Sequence, residues 1–206
     1  MCEKNISINE NSNYSCWENK NTTRDEREII DYLKQNRDIL ANKKILHVGI
    51  GNSELGRVFS QDALLIDGIT ISVPEKLLSR KYKCYRNVHI CNKYNLEDMN
   101  KIMENYDIII DQGIKQYSCC IEHFNKLFDL YVKKLNDKGM IITSKYGMEW
   151  SGYDIKKSIN INSTNRICHR TNVSNINKFT KTELELLLNK YRLDKLYINN
   201  NLFIKK

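Results

Sequence analysis

Two glycines separated by a single residue form the most informative chemical feature of this 206-residue chain. Gly49 and Gly51 follow the apolar run 45–48 (ILHV) and precede residues 52–60, whose pattern predicts a helix. Glycine allows the backbone to turn sharply and to approach a ligand closely. A strand, a glycine turn and a helix in this order are typical of a nucleotide-binding corner, although other α/β proteins use the same corner without a ligand.

Strand-sized apolar runs alternate with helical patterns along most of the chain. The predicted strands are 45–48, 63–72, 87–91, 106–111, 140–143, 193–199 and 201–206. The predicted helices are one that begins after Thr22-Thr23 and others at 52–60, 73–82, 96–104, 119–135 and 180–191, with a turn at 137–139. This alternation predicts an α/β fold with a doubly wound, mostly parallel sheet, in which ligands bind at the carboxyl ends of the strands.

Length and composition favour one compact domain. We expect an N-terminal leader with a helix over residues 1–40 and a Rossmann-like domain over residues 41–206. The seven cysteines include no CxxC pair, so neither a disulfide framework nor a zinc knuckle is indicated. The sequence contains neither a bilayer-length apolar run nor a cleavable signal, which favours a cytoplasmic protein with no membrane partner.

A formal charge of +8 raises the question of a nucleic-acid partner. The lysines are scattered, however, and no stretch interleaves arginine with aromatic residues as nucleic-acid surfaces often do. We therefore favour a solvated surface of biased composition and keep a nucleic-acid face as the alternative. The sequence leaves the oligomeric state open.

The element order and the glycine motif resemble those of the class I S-adenosylmethionine-dependent methyltransferases. Residues 47–55 (HVGIGNSEL) are similar to the GCGNSxL form of that family's motif, and the resemblance covers roughly residues 40–206. It implies a seven-stranded sheet with a terminal antiparallel hairpin and S-adenosylmethionine as the cofactor. The residues that it implies around the cofactor's amino-acid portion are His47, Gly49, Gly51, Asn52 and Ser53. His47 stands where the family usually has an acidic residue that organises the loop, and the alternative for it is a satisfied core histidine.

Three further segments resemble family segments in the same order. Residues 67–78 match the second strand, whose carboxylate accepts hydrogen bonds from the ribose hydroxyls; Thr70 stands at that position, with Asp67 as the nearby carboxylate. Asn95, after the third strand, is the expected contact of the adenine amino group. Residues 106–114 (YDIIIDQGI) lie beside the methyl donor and contribute Asp111 and Gln112.

The segment 106–114 is also similar to the DDGSH motif of metal-assisted sugar O-methyltransferases. Gln112 and Lys115 replace the second Asp and the His of that motif, and Ser144-Lys145 replaces a later Glu-Asp pair. Neutral or cationic groups cannot replace carboxylates around Mg²⁺. We therefore expect no metal.

Methyl transfer needs an in-line nucleophile and often a base. The resemblance places Asp111 at the strand end as the base, with helix capping or cofactor contact as alternatives, and Lys145 as a second catalytic residue. Leaders of this kind fold over the pocket in the family. The residues expected to contact the substrate are Tyr14, Trp17, Lys115, Tyr146 and Trp150, with 151–178 as a variable substrate-side segment.

Together these features predict a methyltransferase that modifies a hydroxyl or amine of a small metabolite, either sugar-derived or anionic. Two alternatives remain open. The first is an RNA or protein methyltransferase, and the second is a non-catalytic binding or scaffold protein, which His47 and Thr70 would allow. A nicotinamide dehydrogenase is disfavoured because Glu54 stands where GxGxxG requires its third glycine.

Overall fold

One seven-stranded sheet organises the chain. The computed structural model describes residues 8–11, 13–115, 121–144, 181–198 and 201–206. The strands are β1 (Lys44–Val48), β2 (Leu65–Thr70), β3 (Asn87–Ile90), β4 (Tyr106–Asp111), β5 (Leu135–Ser144), β6 (Asp194–Ile198) and β7 (Asn201–Lys205). Their order is β3-β2-β1-β4-β5-β7-β6. Strands β1 to β5 are parallel, and β7 is antiparallel to both β5 and β6. The predicted doubly wound sheet with a terminal hairpin is confirmed.

The helices begin near the residues that the sequence indicates. They are α1 (Ser15–Glu18), α2 (Arg24–Gln35), α3 (Glu54–Phe59), α4 (Val73–Tyr82), α5 (Leu96–Ile102), α6 (Ile121–Lys134) and α7 (Lys181–Lys190), with a 3₁₀ turn at Arg37–Ile39. Thr23 caps α2, because its side chain accepts a hydrogen bond from the Glu26 amide. Within the described ranges, no helix is both long and apolar enough to cross a bilayer.

Apolar helix faces cover both sides of the sheet. On one side α2 and α3 pack against strand residues that include Ile45 and Ile108. On the other side α5, α6 and α7 pack against the alternate positions, such as Leu46 and Ile109. Successive residues of a strand point to opposite faces, so a sheet buried on both sides needs the continuous apolar runs seen in β1 and β4.

Strand β5 is longer than predicted and includes residues 137–139, where the sequence predicts a turn; Lys138 in this segment has a φ angle of +62°. Tyr106 pairs with Leu135 and Ile108 pairs with Met140, so residues 136–139 form an irregularity within the strand. Gly139 permits this irregularity, since a Cβ there would lie 2.9 Å from the Asp107 carbonyl oxygen. The strand therefore begins before the segment whose turn-forming residues predicted a connection between helix and strand. The division at residue 40 stays a prediction.

Candidate cofactor site

The glycine loop between β1 and α3 lies where the strand order of the sheet reverses. Strand β1 pairs with β2 on one side and with β4 on the other. Doubly wound sheets bind ligands at such a reversal point. Gly49 and Gly51 have φ angles of +80° and +52°, which favour glycine. A Cβ at Gly49 would meet no heavy atom within 4 Å, so the loop backbone borders open space that a ligand can approach.

Several buried polar atoms at this edge have no hydrogen-bond partner within the described part of the chain. They are Ser53 Oγ in the glycine loop, Ser72 Oγ after β2 and Glu26 Oε1 on α2. These residues are only 0%, 3% and 5% exposed. Buried polar groups in native proteins nearly always have a partner. A polar ligand at this edge would supply the missing hydrogen bonds.

Glu75, in the first turn of α4, organises the glycine loop. Its Oε2 accepts hydrogen bonds from the Gly51 amide (3.0 Å) and from the Thr70 hydroxyl (2.7 Å). Burial raises the pKa of Glu75 to about 7, while Thr70, the Gly51 amide and the charge of Lys20 oppose that rise. No sequence motif identifies this residue. The available signal was a carboxylate five positions after Thr70. We expected the Thr70 hydroxyl to contact the ribose, but it donates a hydrogen bond to Glu75 instead.

His47 lies against Tyr85 rather than against the glycine loop. Its Nδ1 is 2.8 Å from the Tyr85 hydroxyl, and no described residue bonds its Nε2. Burial lowers the pKa of His47 to about 4, so the imidazole is neutral at neutral pH. The Tyr85 ring also fills the space above Gly56, where a Cβ would lie 2.6 Å from the ring. His47 therefore lies in the core, as its alternative states, but only one of its ring nitrogens has a partner among the described residues. Glu75, rather than His47, contacts the glycine loop.

Asp67 is held by other protein groups in the middle of β2, three residues before Thr70. Arg86 binds both of its oxygens, the Asn87 amide donates to Oδ1 at 3.1 Å, and the Tyr106 hydroxyl donates to Oδ2 at 3.0 Å. The side chain is 1% exposed. With its oxygens occupied in this way, Asp67 has the structural role of fixing β2 to β3 and β4, and the expected ribose contact is not supported.

Asp111, the predicted base, ends β4 in a buried ion pair. Lys93 Nζ lies 3.0 and 2.9 Å from its two oxygens, and the ammonium also donates to the Gly113 carbonyl at 2.7 Å. The Tyr131 hydroxyl and the Gly113 amide donate to the same carboxylate at 2.9 and 3.2 Å. Burial lowers the pKa of Lys93, while the carboxylate opposes that shift. Three groups donate four hydrogen bonds to Asp111, so the protein holds this carboxylate in place rather than leaving it accessible as a base.

Two other predicted residues after β3 and β4 have structural contacts. Asn95 is exposed and caps α5, since its side chain accepts from the Asp98 amide at 3.3 Å. Lys115 is 2% exposed, and its burial lowers its pKa to about 8, with the Glu183 charge opposing the change.

The leader crosses this edge of the sheet and is fixed to the glycine loop. Asn52 donates to the Lys20 carbonyl (2.8 Å) and to the Thr22 hydroxyl (3.0 Å). The Thr23 hydroxyl donates to the Gln112 side chain at 3.2 Å, which ties the leader to the end of β4 as well. The leader is therefore held across the strand ends on both sides of the reversal point.

The aromatic leader residues pack against lysines. Lys20 Nζ lies 3.8 Å from the centre of the Trp17 ring, and Lys81 Nζ lies 5.9 Å from that of Tyr14. Lys81 is also paired with Glu18 of α1. The residues Lys145, Tyr146 and Trp150, and the segment 151–178, lie outside the described residues, so their predicted roles stay predictions. In the described ranges no group of three His, Cys, Asp or Glu side chains could hold a metal ion, and metal independence also stays a prediction.

No family model and no curated protein matches this sequence. Many solved structures do match the fold. Magnesium protoporphyrin IX methyltransferase (ChlM) from Synechocystis PCC 6803, with bound S-adenosylhomocysteine, is 9% identical; it has a TM-score of 0.61 over 91% of this chain and 90% of its own. The N-methyltransferase NodS from Bradyrhizobium japonicum WM9, also with bound S-adenosylhomocysteine, is 10% identical. Its TM-score is 0.60 over 93% of this chain and 94% of its own.

A methyltransferase acting on a different kind of substrate has a similar fold. The ribosomal protein L11 methylase from Lactobacillus delbrueckii subsp. bulgaricus is 13% identical, with a TM-score of 0.52 over 89% of this chain and 79% of its own. This chain therefore has the class I methyltransferase fold that its sequence resembles. At such low identity the likeness concerns the fold, and function must be argued from the site.

Proposed function

We propose that this protein is a methyltransferase that uses S-adenosylmethionine to modify a hydroxyl or amine of a small metabolite, without a metal. The observation that carries the proposal is the glycine loop at the reversal point of the sheet, with open space in front of Gly49. Two solved methyltransferases with the same fold have S-adenosylhomocysteine bound. Their ligands support the choice of cofactor.

The residues at this edge fit the proposed cofactor. The backbone of residues 49–51 would approach it, and the hydroxyls of Ser53 and Ser72, which lack protein partners among the described residues, would bind its polar groups. When bound, S-adenosylmethionine supplies an electrophilic methyl group on a sulfonium. The chain's own contribution is to orient the acceptor in line with that group and to exclude water, since positioning accounts for much of such catalysis.

The surroundings of Asp111 favour a positioning role over that of a base. Proton uptake by its carboxylate would remove the charge that compensates Lys93 in a buried site, where an uncompensated charge is costly. We assign to Asp111 the task of fixing the turn at 112–115, beside which the acceptor would bind. Lys145, together with Tyr146 and Trp150, keeps its proposed place on the acceptor side.

The leader supports a small acceptor. Residues 20–23 are hydrogen-bonded across the strand ends through Asn52 and Gln112. An acceptor that can enter beneath this crossing is compatible with these contacts, whereas a folded RNA or protein would have to displace them. A cytoplasmic location is part of the same proposal.

A methyl-transfer experiment tests the activity and its substrate class together. The protein would be incubated with methyl-labelled S-adenosylmethionine and, separately, with metabolite, RNA and protein fractions of a cell extract. Label in the metabolite fraction is the expected result. Label confined to RNA or to protein would replace the proposed substrate class, and cofactor binding without any transfer would favour the non-catalytic alternative. Gly49→Ala, which adds a Cβ to the open face of the loop, should lose the label in every fraction.

A further inference from the structure

Two buried carboxylates from different helices meet at the glycine loop. Glu75 of α4 accepts from the Gly51 amide, and Glu26 of α2 lies close enough to Glu75 for the two charges to affect each other. They are 7% and 5% exposed. Isolated carboxylates are rarely buried this deeply without a cation or several donors, because burial disfavours the charged form.

The protein leaves part of this acidic pair without a partner. Glu26 Oε1 has no hydrogen-bond partner among the described residues, and neither has Ser53 Oγ in the adjoining loop. Ser53 is 0% exposed. The open space at Gly49 lies in the same loop, two residues before the amide that Glu75 holds. Buried acceptors without a partner around this loop indicate a ligand that carries donors.

The charged groups around the pair do not neutralise it. The negative charge of Glu54 on α3 raises the pKa of Glu26 further. Hydrogen bonds from the Gln112 side chain and the Leu55 backbone to Glu26 lower that pKa. Lys20 of the leader is the cation that acts on Glu75. Burial, followed by nearby negative charges that include Glu26 and Glu75, raises the pKa of Tyr85, so its hydroxyl stays neutral. His47, bonded to Tyr85, is neutral as well.

We propose that Glu26 and Glu75 bind the cationic portion of the cofactor. This inference rests on the proposed function and extends it, since it assigns the recognition of positive charge to two helix residues that no sequence motif identifies. S-adenosylmethionine carries two cationic groups, the ammonium and the sulfonium, whereas S-adenosylhomocysteine carries the ammonium alone. 5′-Methylthioadenosine keeps the nucleoside and carries neither.

Binding of a cation by this pair must be linked to proton release. Burial raises the pKa of each carboxyl to about 7, so a large fraction is protonated near neutral pH in the free protein. A bound cation favours the ionised form and expels the proton. Affinity should therefore fall steeply as the pH falls below 7 and change by less than about twofold per carboxyl between pH 7 and 7.5. The α-amino group of the ligand has an ordinary pKa of about 7.7–8.0 and stays mostly charged up to pH 7.5.

Calorimetric titration of the wild-type protein at pH 6.0 and 7.5 measures this linkage. Between these values we expect S-adenosylmethionine to bind about 8-fold more weakly at the lower pH for each carboxyl that must ionise, or roughly 70-fold for both. Titrations at pH 7 in two buffers of different ionisation enthalpy count the released protons directly. 5′-Methylthioadenosine should show neither effect. Proton release on binding of S-adenosylhomocysteine would identify the ammonium as the bound cation. Proton release with S-adenosylmethionine alone would identify the sulfonium.

Three glutamate variants separate this role from a general effect of charge. Glu26→Gln and Glu75→Gln should each reduce proton release and weaken S-adenosylmethionine binding about 10-fold. Glu26→Gln leaves the contact between Glu75 and the Gly51 amide in place, so it should keep 5′-methylthioadenosine binding within about twofold. Glu28→Gln is the matched control, because Glu28 lies on the same helix and pairs with Arg24 instead. The melting temperature of each variant reports whether it has folded.

The outcomes distinguish this inference from the proposed function. Equal pH dependence for S-adenosylmethionine and 5′-methylthioadenosine, or unchanged proton release in both Glu26→Gln and Glu75→Gln, would overturn the assignment while the cofactor stood. No binding of any of the three ligands by the wild-type protein would overturn the proposed function itself, and this inference with it.

Discussion

The buried Lys93–Asp111 pair gives the sharpest test of how the acceptor side of the site is built. The side chains are 11% and 3% exposed, and the Asp111 carboxylate also accepts from Tyr131 and Gly113. Lys93→Met removes the cation and leaves a buried carboxylate with two neutral donors. Breaking a buried pair in this way costs about 3–5 kcal/mol. For a chain of this length that loss corresponds to a fall in melting temperature of roughly 6–20 °C.

Urea unfolding and thermal melting of the purified variants measure this loss. Lys101→Met is the matched control, because Lys101 pairs with Glu97 on the surface, where the side chains are 64% and 79% exposed. Surface pairs contribute about 0–1 kcal/mol. The double variant Lys93→Met/Asp111→Asn should lose less stability than the sum of the two single changes, since no uncompensated charge remains.

A cost below about 1 kcal/mol for Lys93→Met, similar to that of the surface control, would refute this reasoning. The pair would then contribute little to stability, and the Asp111 carboxylate would be free to accept a proton. The earlier assignment of Asp111 as the base would return.

Three further predictions follow from the buried residues around the glycine loop. Gly56→Ala would place a Cβ 2.6 Å from the Tyr85 ring, so we expect unfolding measurements to show a loss of about 1–3 kcal/mol, and no measurable loss would contradict this packing. The pKa of His47 is lowered to about 4 from 6.5, so its contribution to stability is complete above pH 6.5 and is lost as the pH falls toward 4; His47→Gln should flatten the urea-unfolding profile in that window. The pKa of Glu26 is raised to about 7 from 4.5, so its contribution is complete below pH 4.5 and is lost as the pH rises through 7. Glu26→Gln should therefore raise the stability of the ligand-free protein at pH 8, and a decrease there would argue against a destabilising buried charge.

Strong local signals made much of the fold predictable. Strand β4 and helix α4 have the bounds that the sequence indicates, because a run of three isoleucines marks a strand buried on both faces and Pro74 suits a first helical turn. The glycine loop was predictable because Gly49 and Gly51 have positive φ angles, which glycine adopts most easily. The bulge at 136–139 was missed because turn-forming residues can also be accommodated inside a strand when tertiary pairing continues on either side.

The electrostatics of the site could not be obtained in the same way. Lys93 and Asp111 are 18 residues apart, and no local pattern shows that a lysine in a loop will be buried beside a strand end. Glu75 has the pattern of an ordinary first-turn acid of α4, and only the folded loop brings the Gly51 amide to it. Asp67 was the carboxylate expected to assist Thr70 at the ribose, yet Arg86, just before β3, binds both of its oxygens. Such pairings depend on strand order and register, which the sequence pattern constrains only in outline.

Binding of the cofactor is the central claim, and isothermal titration of the wild-type protein with S-adenosylmethionine and S-adenosylhomocysteine tests it most directly. We predict saturable binding with micromolar dissociation constants. At a ligand concentration about 100 times the dissociation constant, each ligand should stabilise the protein by about 2.7 kcal/mol and raise its melting temperature by roughly 5–10 °C. Absence of both heat and thermal stabilisation with either ligand would contradict the account and leave a methyltransferase fold with another use.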